Sequence, residues 1–294
     1  MATLEGVLVV DKPGGMTSHD VVNRIRRVAG TRRVGHAGTL DPLATGVLLV
    51  CVGRATRLVE YLVGQSKTYV TTVRLGQVTN TYDAGGEVVQ ERPVSHITST
   101  QIIQALAQFR GTIQQKPPIY SAIKKDGQPL YKLARQGKDV VVPLREVMIY
   151  DLSLLAVDLP EIELEMTVSS GMYVRSLAHD LGEVLGCGGH VATLRRTAVG
   201  DFLVKNAVAL DTLTVDNVGD FLQSMTTAVA HLPRLDLNVS ETAELTNGRV
   251  ITRQSHQPQA ELVQAYAVDG RFVGIVKASG ANWRAHKIFH AMGE

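Results

Sequence analysis

The sequence predicts a mixed α+β fold: apolar runs of strand length alternate irregularly with amphipathic stretches of helical period, strands outnumber helices, and 45% hydrophobic residues over 294 positions supply a sizeable core. No internal repeat or low-complexity tract interrupts that mixture. The first element is "GVLVV" (6–10), a buried strand ended by the turn "DKPGG", because Pro lacks the ladder N–H and Gly permits unusual dihedrals. A helix follows, with Thr17 or Ser18 as N-cap, Asp20 in its first turn, Val21, Val22, Ile25 and Val28 at helical spacing, and Gly30 at its end. Arg24 and Arg27 fall off that apolar stripe and are free to face solvent or a phosphate backbone. "VLLVCVG" (47–53) reads as a buried strand and "KTYVTTVRLG" (67–76) as a partly alternating one. "REVMIYDLSLLAVDLP" (145–160) and "EIELEMTVSS" (161–170) read as paired strands, the second with Ile162, Leu164 and Met166 inward and Glu161, Glu163 and Glu165 outward. A helix over about 173–185 carries Leu177, Leu181 and Val184 on one stripe and stops at "GCGG". Such elements fit a sheet covered by helices on one side.

After a helix-like stretch, "TVDNVGDFLQSMTTAVAHL" (214–232), the chain resumes with a short helix in "SETAELTNG" and three strands, "ELVQAYAV", "RFVGIVKA" and "NWRAHKIF". The expected division is therefore a large domain over 1–232 and a small β-rich module over 233–294.

Composition excludes several classes. No run of about 18 apolar residues is present, and the N-terminus lacks the basic start and apolar run of a signal peptide, so a cytoplasmic protein without membrane contact is expected. Cys51 and Cys187 are too few for a disulfide framework and read as buried free thiols. Cys187 and His190 make half of a metal site, but no second pair of ligands accompanies them, and no metal is expected. Neither GxxxxGK[ST] nor GxGxxG occurs, and no cofactor is expected.

Net charge is only +2, yet it is unevenly spread. Residues 1–74 hold ten Lys or Arg against five Asp or Glu, 111–145 hold seven against two, and 271–290 hold four against none. Clusters of this kind suit a polyanion, or are simply solvated faces. Within the first of them, "GHAGTLDPLATG" (35–46) places Asp41 as the one acid between Asp20 and Glu60, an interval with seven arginines. Surrounding positive charge favours the carboxylate, which makes Asp41 a poor proton donor but a serviceable nucleophile or ion-pair partner. Pro42 keeps it out of helical dihedrals, and Gly38 and Gly46 bracket a loop whose small residues let a ligand approach the backbone.

The segments "DKPGGMTSHDVV", "RRVGHAGTLDPLATGVLLV", "KTYVTTVRLGQVTNTYDAGG", "IYSAIKKDGQPLYKLARQG" and "GMYVRSLAHDLGEVLGCGGHVATLRRTAVG" together resemble the bacterial TruB family, tRNA pseudouridine synthases, over about residues 6–205. The resemblance implies a pseudouridine-synthase-like mixed sheet with flanking helices and, less specifically, a small C-terminal PUA-like RNA-binding β-barrel. It implies isomerisation of uridine at position 55 in the T loop of tRNA by a monomer working on the T arm without guide RNA, since "DPLATG" looks like the bacterial form of the signature. By likeness, Asp41 is the nucleophile, His36 enters the T loop and props it open, and Tyr69 stacks on the target base. Tyr173 contacts substrate, Arg175 pairs with the nucleophile, Leu194 lines the pocket, Asp83 is a polar pocket residue, and Lys12 orders the nucleophile loop or meets phosphate. Each has a plainer use as well: a turn Asp, a hydrogen-bonding His, a sheet-packing Tyr, a solvated Arg, a core Leu.

The chemistry is consistent with a lone acid. Breaking the glycosidic bond builds positive character on the sugar, which an ionised carboxylate beside C1′ can stabilise or attack, and uracil leaves as a delocalised anion without the acid partner that a sugar alkoxide needs. A base in a structured loop must first be extruded, and aromatic side chains then replace the lost stacking. Two other readings use the same residues: an RNA-binding or tRNA-folding module in which catalysis is secondary, and a sugar hydrolase, which the missing second acid disfavours.

Overall fold

The computed structural model describes residues 4–120, 124–125, 128–129 and 142–289. Three of the seven basic residues of the second cluster, Lys132, Arg135 and Lys138, and much of "IYSAIKKDGQPLYKLARQG" lie outside the described residues. In chain order the strands are β1 (Gly6–Lys12), β2 (Val34–Ala37), β3 (Thr45–Val52), β4 (Lys67–Leu75), β5 (Gln77–Thr79), β6 (Val88–Glu91), β7 (Gly111–Gln115), the short pair β8 (Lys124–Lys125) and β9 (Gln128–Pro129), then β10 (Arg145–Asp158), β11 (Glu161–Val168), β12 (Gly189–Val199), β13 (Phe202–Leu203) and β14 (Val208–Ala209). The last module adds β15 (Arg234–Asp236), β16 (Val250–Thr252), β17 (Leu262–Tyr266), β18 (Phe272–Ser279) and β19 (Asn282–Ile288). The α-helices among the described residues are α1 (Ser18–Val28), α2 (Val59–Val63), α3 (Ser99–Ala107), α4 (Val174–Val184) and α5 (Val239–Thr246).

A ten-stranded mixed sheet, in the order β14-β1-β3-β12-β4-β11-β10-β7 with β2 beside β3 and β13 beside β12, forms the body of the molecule. Its two halves are buried differently. In β4 and β11 every second residue is buried, as alternation of side chains predicts for a strand with one wetter face. In β1 and β3 both faces are dry: Leu8, Val10, Leu48 and Val50 join one apolar cluster with Val21, Val22 and Ile25 of α1, and Val7, Val9, Val47 and Leu49 join a second with Leu58, Leu62, Met225 and Val229. The expected one-sided sheet is therefore two-sided at this end. The extra cover comes from a 3₁₀ turn (53–58), α2, and residues 225–229 together with Phe272, Ile275 and Phe289 of the last module.

α1 begins with a reciprocal capping box, in which Thr17 Oγ1 accepts from Asp20 N at 3.1 Å and Asp20 accepts from Thr17 N at 2.9 Å. Two expectations change. The stretch 214–232 forms turns and a 3₁₀ segment at Met225–Val229. Asn217 explains this, since its amide accepts from Thr214 N at 2.8 Å and donates to Thr212 O at 3.0 Å, local bonds that compete with a helical ladder. Val184, expected on the buried stripe of α4, is 49% exposed because α4 ends there and Gly186, at φ 75°, turns the chain back. Leu185 packs against the core in its place. Cys51 and Cys187 are buried free thiols, as expected.

The C-terminal module is a five-stranded sheet, β15-β17-β18-β19-β16, with its own apolar cluster around the fully buried Trp283. The three strands and the helix expected over 240–289 are all present; β15 and β16, three residues each, were too short to show in the sequence pattern.

Candidate active site

Asp41 sits in the short loop between β2 and β3, and the neighbouring chain fastens that loop from three sides. Ser18, at the start of α1, exchanges two hydrogen bonds with Leu40, accepting from its N–H at 2.8 Å and donating to its carbonyl at 3.0 Å. Gly15 N donates to Pro42 O at 2.8 Å. Lys12, wholly buried, donates its Nζ protons to the carbonyls of Pro13 and Met16 at 2.8 and 2.7 Å and of Pro42 at 3.5 Å. Burial outweighs the attraction of Asp41 and pulls the Lys12 ammonium down to about 8. At the far end of the loop Gly46, at φ 98°, lies against β12 so closely that a Cβ there would stand 2.1 Å from Arg196 O.

The counter-charge to Asp41 comes from α4. Arg175, 5% exposed, brings Nε to 2.9 Å from Asp41 Oδ2 and Nη1 to 3.5 Å from Asp83 Oδ2. Nη1 and Nη2 also donate to the carbonyls of Thr81 at 3.1 Å and Tyr120 at 3.0 Å. Asp83 is itself fixed, accepting from Thr81 Oγ1 at 2.7 Å and Gly85 N at 3.0 Å. One guanidinium thus joins two carboxylates on different loops. Burial raises the Asp41 carboxyl above its ordinary value, Arg175 opposes the rise, and Asp83 adds to it. The cations that act on Asp41 are Arg175 and, more weakly, Lys12, rather than the seven arginines near it in sequence, which corrects the expectation drawn from their number.

Three of those arginines serve elsewhere. Arg54 pairs with Glu5 at 2.7 Å and donates to Phe289 O at 2.6 Å, and Arg57 donates to Ile288 O at 2.7 Å, so both bind the C-terminal module. Arg26 donates to Asn23 and to Val34 O.

Asp41 opens onto a pocket of about 270 Å³ whose walls include Tyr69, Tyr173, Arg175 and Leu194. Tyr69 projects from β4 and Leu194 from β12, antiparallel neighbours whose pairing is regular from Thr71 opposite Leu194 to Tyr69 opposite Arg196. Tyr173 is the N-cap of α4 and has no side-chain cap there; its backbone is clasped by the buried Gln115, which accepts from Tyr173 N at 2.8 Å and donates to Tyr173 O at 3.1 Å. The structure therefore gathers Asp41, Tyr69, Tyr173, Arg175 and Leu194 at one cavity and puts Asp83 directly behind Arg175. Lys12 lies under the loop. His36, on β2, is half-buried and away from the pocket lining, with a buried Nδ1 that meets no partner among the described residues, and burial pulls its imidazole down.

Sequence reasoning missed two cations in the lining. Lys67, 6% exposed, donates to Val63 O and Gln65 O, both at 2.6 Å, and burial pulls it down to about 8; Arg196, 1% exposed, donates to Val47 O at 2.7 Å and Gly38 O at 3.0 Å. The signal was available: Lys67 stands two residues before Tyr69 and Arg196 two after Leu194, so strand periodicity puts each pair on one face. Cys187 and His190 have separate backbone partners, Gly188 O and Gln77 O, and no group of three or more metal-ligating side chains occurs among the described residues.

The comparisons show this mixed sheet to be that of a pseudouridylate synthase. Residues 26–174 match the family model described as TruB family pseudouridylate synthase, N terminal domain; 175–230 match tRNA pseudouridylate synthase B C-terminal domain, and 232–290 match tRNA Pseudouridine synthase II, C terminal. The chain belongs to the TruB family. It is 41% identical to tRNA pseudouridine synthase B of Ralstonia pickettii over 98% of this chain and 95% of that one. The protein of the same name from Mycobacterium tuberculosis is 43% identical over 97% of this chain and 95% of its own. Among solved structures, a Cbf5–Nop10–Gar1 complex matches with a TM-score of 0.76 and 28% identity over 97% of this chain and 85% of that chain. An H/ACA RNP bound to a substrate RNA containing 2′-deoxyuridine matches with 0.75 and 26%, over 98% and 86%.

Proposed function

We propose that this enzyme isomerises uridine to pseudouridine in tRNA, at position 55 of the T loop, with Asp41 as the nucleophile on a flipped-out nucleotide and without guide RNA. The observation that carries this reading is the Asp41 carboxylate held 2.9 Å from Arg175 Nε at the edge of a cavity walled by Tyr69, Tyr173 and Leu194. The relatives named tRNA pseudouridine synthase B support tRNA as the substrate.

The geometry suits each step. The extruded uridine enters the cavity with Tyr69 against the base and Tyr173 and Leu194 around it, while His36 takes the space the base vacates; extrusion costs a few kcal/mol, which stacking on aromatic rings offsets. Arg175 keeps the carboxylate charged against the effect of burial and aims it. Asp41 then acts on the nucleotide at C1′, at C6 or on a ribose proton, three routes that share the same ionised oxygen. Asp83 holds Arg175 from behind and Lys12 holds the loop from below. Uracil departs as a stabilised anion, turns, and rejoins the sugar through C5; C5 then gives up its proton and N1 takes one, so the atoms balance with no hydrolysis and no change of oxidation state.

The test is a mass-shift assay on a T-arm transcript labelled at pseudouridine. Asp41→Asn removes isomerisation while leaving RNA affinity near that of the wild type; pseudouridine formed by Asp41→Asn refutes the assignment of the nucleophile.

A further inference from the structure

Tyr82 is the one residue other than glycine with a positive φ among the described residues, at 62°. A bulky side chain is disfavoured there, so something must hold it. Its ring lies flat on the imidazole of His179, with centroids 4.0 Å apart and planes 8° from parallel. His179 stands one helical turn beyond Arg175 on the same face of α4. Its Nδ1 is buried and meets no hydrogen-bond partner among the described residues, so at that nitrogen the ring gains nothing from hydrogen bonding and its stacking on Tyr82 is the interaction on display.

The residues on either side of Tyr82 are two of the groups that grip Arg175: Thr81 through its carbonyl at 3.1 Å and Asp83 through its carboxylate at 3.5 Å. With Tyr82 in the left-handed conformation, the carbonyl before it and the side chain after it converge on one guanidinium. Tyr82 is also tied to β12, through Val191 N donating to its carbonyl at 3.0 Å. We propose that Tyr82 and His179 are positioning residues, a ring clamp that fixes the turn over 79–83 on α4 and thereby sets Arg175 against Asp41. The clamp rests on the reading of Asp41 as the reacting carboxylate and extends it to two side chains that touch neither Asp41 nor the pocket.

The experiment measures kcat, KM and tRNA affinity for pseudouridine formation on a tRNA transcript. Tyr82→Gly, which keeps the backbone conformation and deletes the ring, and His179→Ala are expected to lower kcat about ten- to a hundredfold, as small misplacements of reacting groups do, with KM and affinity within about twofold of wild type. Tyr82→Phe and His179→Phe keep a ring pair and retain kcat. Wild-type kcat in both ring-deleted variants overturns the proposal, as does a fall in kcat matched by an equal fall in tRNA affinity. Thermal melts accompany each variant, and where His179→Ala does not fold, His179→Leu replaces it: wild-type kcat in His179→Leu overturns the clamp. Asp41→Asn in the same assay separates the two readings. If it is inactive while the ring-deleted variants are fully active, only the clamp falls; if it is active, the reading of Asp41 falls and the clamp with it.

Discussion

Asp41 is held between opposing influences, burial raising its carboxyl and Arg175 restraining that rise. Activity that needs the carboxylate is lost as pH falls through the pKa of that group, so the acidic limb of kcat/KM is expected above the ordinary aspartate value of 3.8. Arg175→Ala removes the restraining charge, so the limb should move to higher pH and kcat should fall across the profile; an unmoved limb would show that Arg175 does not govern this ionisation. Asp41 was legible in the sequence as a lone acid on a Gly- and Pro-bounded loop. Its partner was given by the family resemblance, which named Arg175, and the structure sets the two 2.9 Å apart; composition alone pointed instead to the arginines adjacent in sequence, because charge acts through space and the guanidinium arrives from α4. Lys67 and Arg196 left no mark in composition, since a buried cation satisfied by backbone carbonyls looks like any other, and only their spacing of two from Tyr69 and Leu194 marked them.

Elements that announce themselves by local chemistry were read correctly: the start of α1, whose N-cap of Thr17 or Ser18 is Thr17, the alternation of β11, and the pairing of β10 with β11. The stretch 214–232 was misread because its apolar spacing imitates a helix while Asn217 diverts the backbone into turns. At the junction of β3 and β12, Gly46 allows a close parallel approach that a side chain would block. Gly46→Ala combines a forbidden φ with a clash against Arg196 O, and we expect a destabilisation on the order of 2 kcal/mol or more, seen as a lower midpoint in urea unfolding. An unchanged midpoint would mean that the two strands can separate locally at no penalty. Because Arg196 and the Asp41 loop meet there, kcat should fall alongside stability.

Across the whole molecule, the C-terminal module is not a loose appendage. Arg54 and Arg57 donate to the carbonyls of Phe289 and Ile288, Lys287 donates to Arg57 O at 2.6 Å, and the Arg57 guanidinium lies 4.8 Å from the Phe289 ring centre. Arg54→Ala should cost about 1–3 kcal/mol of stability, readable by calorimetry as a lower melting temperature, because it leaves a buried carbonyl without its charged donor. Arg32 and Arg33 carry no such duty among the interactions described and remain available to phosphate. Arg32→Ala with Arg33→Ala should weaken tRNA binding more at low salt than at high, lowering the slope of log affinity against log salt by about one for each phosphate left without its arginine. Equal weakening at all salt concentrations would place those arginines off the RNA. The most direct test of the account is a crystal structure of the enzyme with T-arm RNA. It should show the target uridine out of its stack, on Tyr69, with an Asp41 oxygen against its C1′ or C6 at about 3–3.5 Å. A uridine still stacked in the loop, or an Asp41 carboxylate turned away from the nucleotide, would contradict it.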